Sequence, residues 1–75
     1  MTTNWELLTI VTDPIVASLI KGRLEEDNIP VITDQEAAGK VVYSFNIGPM
    51  AEIKIFVPRS KIEEARDLLN HLLEG

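Results

Sequence analysis

A run of β-formers, Trp5–Val11 (WELLTIV), breaks directly into Thr12-Asp13-Pro14. No other feature constrains the fold as strongly. β-branched and aromatic residues bounded by a turn signal predict a strand. Leu7, Leu8, Ile10 and Val11 put apolar groups on both of its faces, as expected of a central strand. Asp13 can accept a hydrogen bond from a free N–H of a first helical turn, and its charge suits the positive helix end. Pro14 fits the first helical position, where a missing N–H costs nothing.

The helix is predicted over 14–27. At 100° per residue, Ile15, Val16, Ala17, Leu19, Ile20 and Leu24 cover an arc of roughly 200°, about twice what packing on one sheet face requires. Ile15 and Leu19 lie at one edge of this arc. They serve either a second contact or, by preference, packing against a neighbouring loop. Arg23 and Asp27 have the i, i+4 spacing of a helical ion pair. Gly22 costs about 1 kcal/mol relative to alanine, so it marks either a close backbone approach or a tolerated surface glycine. Asn28 can end the helix in the left-handed conformation. Residues 29–33 (IPVIT) predict a short second strand, at a sheet edge or beginning at Pro30, which lacks a ladder donor. Strand, helix and strand in this order imply a right-handed crossover.

Residues 34–40 (DQEAAGK) read as a loop. Residues 41–45 (VVYSF) alternate and read either as another strand or as an extension of the second. Residues 46–50 (NIGPM) read as a turn built on Gly48-Pro49. Residues 53–57 (IKIFV) are the clearest strand, with Ile53, Ile55 and Val57 on one face and Lys54 and Phe56 on the other. Ser60 and Glu63 have capping-box spacing. After them Ile62, Ala65, Leu68, Leu69, Leu72 and Leu73 fall within about 140° of helical arc. The order is β-α-β-(β)-β-α. It predicts an α+β domain spanning residues 1–75, a ferredoxin-like split β-α-β with two helices on one face of an antiparallel sheet.

The chain has 75 residues, so one small domain is expected. A domain of this size buries only about 60% of its unfolded surface and is marginal alone. With no cysteine to form disulfides or thiolate metal sites, dense aliphatic packing or association must stabilise it. A net charge of −5 disfavours nucleic acid and anionic lipid. No apolar run is long enough to span a membrane, and no secretory signal pattern opens the chain. The expectation is a cytoplasmic protein without a membrane or nucleic-acid partner.

Two helices on one face leave the other face of the sheet bare. That face receives Lys54 and Phe56 and, depending on register, either Trp5, Leu7 and Val11 or Leu8 and Ile10. The favoured outward set is Trp5, Leu7, Thr9 and Val11. Either register leaves large apolar side chains there, which marks an interface or groove unless the 34–50 segment folds over it. Long connections in small domains often carry function. Glu36, Lys40, Asn46 and Gly48 therefore join Trp5, Leu7 and Phe56 as candidate ligand or partner contacts.

Catalytic chemistry finds little support. His71 is the one histidine; Asp67 stands four residues before it, and a helix C-terminus favours its cation. A metal site would want a second His or Cys. Ser60 reads as a cap, Ser18 lies on a polar helix side, and Glu25-Glu26 and Glu63-Glu64 read as solvated pairs. No glycine-rich phosphate loop is present. Arg59 and Asn46 do not have the spacing of an acylphosphatase-like hydrolase. The expectation is a protein that is not an enzyme and needs no cofactor or metal.

Several residues carry a family resemblance. They are Trp5 and Leu8, Thr12-Asp13-Pro14, Ala17, Ile20-Lys21-Gly22, Leu24-Glu25, Asn28-Ile29-Pro30-Val31, Ile53, Ile55, Val57-Pro58, Ala65 and Leu68-Leu69. The chain resembles a family of small bacterial domains described as prokaryotic signal-transducing proteins, whose function is unknown. The resemblance spans nearly the whole chain and rests mostly on core and capping positions. That family is likened to PII regulators, so the resemblance implies a ferredoxin-like, PII-like fold and a signalling role. PII proteins bind adenine nucleotides and 2-oxoglutarate between subunits, but no residue pattern here carries over their ligand positions. Thr12-Asp13-Pro14 with the later Asn28-Ile29-Pro30-Val31 is also similar to the opening of ACT-type amino-acid-binding domains. Those usually have a glycine where this chain has Ile15.

The function expected is a non-catalytic regulatory or signal-transducing module. It would bind a protein partner, a second copy or a small molecule through the open sheet face and the 34–50 segment. The alternatives are an ACT-like amino-acid sensor and a structural self-association domain.

Overall fold

A computed structural model describes residues 4–34 and 52–74. The strand or extension expected at 41–45, the turn at 46–50 and nearly all of the 34–50 segment lie outside the described residues. In chain order the described elements are β1 (Trp5–Val11), α1 (Pro14–Glu26), β2 (Ile32–Thr33), β3 (Ile53–Pro58), a single 3-10 turn (Arg59–Lys61) and α2 (Ile62–Glu74). The protein is thus α+β, with two helices and a three-stranded antiparallel sheet among the described residues.

The sheet order is β1-β3-β2, and β3 is antiparallel to both neighbours. β1 and β2 therefore run parallel to each other on either side of it. Among the described residues β3 is the central strand, and β1, expected to be central, pairs on one side only, with β3. β2 is also shorter than the expected 29–33. Pro30 and Val31 precede the ladder, and only Ile32 and Thr33 pair, opposite Phe56 and Ile55. The Asp34 carboxylate continues the ladder where the backbone pairing stops, accepting a hydrogen bond from the Lys54 N–H at 3.2 Å.

α1 forms because both of its ends are satisfied locally. The Asp13 side chain accepts from the Ile15 N–H at 2.9 Å, and Pro14 follows in the first turn. At the other end Asn28 takes φ 62°. Its N–H donates to the Glu25 carbonyl and the Ile29 N–H to the Leu24 carbonyl, both at 3.0 Å. This is the Schellman pattern, and it brings Ile29 and Leu24 into the core, where they are 1% and 0% exposed. Arg23 reaches Asp27 at 3.2 Å and Glu26 at 3.5 Å. Gly22 is exposed, and an added Cβ would meet nothing within 4 Å. It allows no close approach and is a tolerated surface glycine.

α2 starts differently from expectation. A 3-10 turn, Arg59–Lys61, leads into it, with extended Pro58 before that turn and no side-chain cap there. Ser60 lies inside the turn, so it does not occupy the extended cap position that a Ser60–Glu63 capping box requires. Lys61 and Glu64 pair across this first turn at 3.8 Å.

One apolar cluster joins all the elements around it. Ala17, Ile20 and Leu24 from α1 meet Ile53, Ile55 and Val57 from β3, and Ile62, Ala65 and Leu69 from α2. The three β3 residues alternate along the strand and share one face, so both helices cover that same face. The expected helical stripes are each trimmed. Ile15 and Leu19 remain 70% and 63% exposed on α1, so none of the described residues buries them, and Leu73 is 68% exposed on α2.

Candidate functional site

The candidate site is the sheet face that the helices leave uncovered. Its composition follows from register. Across an antiparallel pair, opposed residues share a face. Leu7 opposes Phe56, and Ile10 opposes Lys54. Ile32 opposes Phe56 from the other side. Phe56 and Lys54 point away from Ile55 and the core, so these partners do too.

Leu7 and Ile10 share a face although three positions separate them, which a regular strand forbids. A bulge resolves this. The register shifts between Leu7 and Thr9, leaving Leu8 as the extra residue. Before the bulge, Trp5 and Leu7 face outward; after it, Ile10 does. Thr9 instead opposes Ile55 and Val11 opposes Ile53 on the closed face. Val11 and Leu8 pack against the core cluster. The expected outward set of Trp5, Leu7, Thr9 and Val11 is therefore half corrected: Trp5 and Leu7 stay outward, Thr9 and Val11 turn inward, and Ile10 joins the open face. The parity changes at the apolar doublet Leu7-Leu8.

The resulting surface is apolar. Trp5, Leu7 and Ile10 are 42%, 40% and 42% exposed, well above the core residues. Phe56 and Ile32 beside them are half-buried. Lys54 is the one charged strand residue on this face among those described. Glu6, the only charged residue of β1, opposes Val57 on the other face. Its carboxylate lies 3.5 Å from the Arg59 Nε, and the Arg59 N–H donates to the Asn4 carbonyl at 2.8 Å. These contacts hold the start of β1 against the end of β3. Asn4, Trp5, Glu6 and Arg59 line only a shallow, open depression there.

Of the predicted contact residues, Trp5, Leu7 and Phe56 come together on this face. Glu36, Lys40, Asn46 and Gly48 lie outside the described residues. Ile10 and Ile32 belong to the same surface. Ile10 was expected outward only in the alternative register, together with Leu8, and the bulge lets it join Leu7 instead; Ile32 was not singled out, because a two-residue strand has no periodicity to read.

The remaining titratable groups do not converge. His71 is exposed, and its Nδ1–H donates to the Asp67 main-chain carbonyl at 2.9 Å. The acceptor thus belongs to the residue one turn back, through its carbonyl. No group of three or more His, Cys, Asp or Glu among the described residues could hold a metal ion. No described helix is long and apolar enough to cross a membrane. Comparison with protein-family models, with curated proteins and with solved structures finds no significant match for this chain.

Proposed function

We propose that this chain is a cytoplasmic, non-catalytic regulatory or signal-transducing module that docks a protein partner on its open sheet face, assisted by the 34–50 segment. The observation that carries the reading is the row of Trp5, Leu7 and Ile10, each at least 40% exposed, on the face opposite both helices. Exposed apolar side chains gathered on one flat surface gain free energy when another surface removes them from water. Half-buried Phe56 and Ile32 widen the surface, and Lys54 offers it a single cation. The strand order β1-β3-β2, with α1 linking the two parallel strands, supports a ferredoxin-like split β-α-β arrangement. That arrangement agrees with the resemblance to the prokaryotic signal-transducing and PII-like domains.

The test compares the wild-type chain with the double variant Leu7→Lys, Phe56→Lys. Both are used as bait in host extract, with quantitative mass spectrometry of what is retained. The reading expects proteins held by the wild type and lost by the double variant, with the two chains giving matching circular dichroism spectra. Identical retained sets from two folded baits would refute docking on this face. Sedimentation of the purified chain over a range of concentrations tells a foreign partner from a second copy, since only self-association raises the mass. A thermal-shift screen with nucleotides, 2-oxoglutarate and amino acids covers small molecules, because a ligand of the folded state raises the melting temperature by mass action.

A further inference from the structure

We draw no further inference here: the strongest candidate, the exposed aliphatic side chains of the helix layer at Ile15 and Leu19 on α1 and Leu73 on α2, carries nothing because nothing in the structure shows what covers them.

Discussion

The two faces of the sheet are built from the same three strands and from similar side chains, yet they meet different surroundings. On the closed face Ile53, Ile55 and Val57 are 6%, 0% and 0% exposed. On the open face Trp5, Leu7 and Ile10 keep at least 40% of their surface in water. Hydrophobicity does not separate the two groups, since both consist of large apolar side chains. The separation comes from where the helices lie. α1 and α2 lay Ala17, Ile20, Leu24, Ile62, Ala65 and Leu69 over one face only. The closed face therefore holds the domain together, and the open face is left with unused burial free energy.

The largest expected effect tests that division directly. Ile55→Ala removes a fully buried side chain from the central strand, and it should cost about 2–5 kcal/mol, part transfer and part cavity. In a domain this small that approaches total stability. Leu7→Ala on the open face should cost less than about 1 kcal/mol, because much of that side chain is already hydrated. Urea titration of both variants gives the comparison, and equal losses would erase the distinction between the faces.

The bulge is tested by neighbours on β1. Val11→Asp places a carboxylate against the core cluster and should cost at least about 2 kcal/mol. Ile10→Asp, one residue away on the open face, should cost less than half as much. The reverse order of melting temperatures would mean that the register beyond Leu8 is wrong.

The helix that closes the inner face depends on its ends. Asp13→Ala removes the acceptor of the Ile15 N–H and should lower stability by about 1 kcal/mol. In a domain of this length that corresponds to a fall of roughly 4–8 °C in Tm. Gly22→Ala should act in the opposite sense, raising stability by up to about 1 kcal/mol, since nothing in the surroundings obstructs a methyl group. A loss at Gly22 would show that α1 needs backbone freedom there. Smallest of all, Arg23→Ala breaks the pairs to Asp27 and Glu26. Exposed pairs of this kind are worth only a few tenths of a kcal/mol, so its urea midpoint should barely move.

Local signals were legible where the physics is local. Asp13 and Pro14 mark the start of α1 because both act on the first turn alone. Asn28 marks its end because few residues other than glycine adopt positive φ readily. The alternation of Ile53, Ile55 and Val57 declared a buried face within one strand. The failures lie where an outcome depends on distant chain. Ser60 and Glu63 have the right spacing for a cap, but the chain leaves β3 through a 3-10 turn that places Ser60 elsewhere. β1 carries apolar groups on both faces, which reads as a central strand; among the described residues it pairs only with β3, and its outward groups lie on the face that the helices leave uncovered. In the candidate site, Trp5, Leu7 and Phe56 were foreseeable from alternation. Ile10 and Ile32 were not, because the faces they occupy are set by pairing with Lys54 and Phe56.

The sequence by itself determined where the described strands and helices begin and end to within a few residues, and which face of β3 is apolar, because propensity, capping and periodicity act over neighbouring residues. Only the tertiary structure decided that β3 lies between β1 and β2, that Leu8 is an inserted residue, and that Ile10 rather than Val11 faces out. Those facts follow from hydrogen bonding between segments far apart in the chain. One extra residue in a ladder exchanges the two faces of every residue after it, and no local signal reports which registry the partner strand selects.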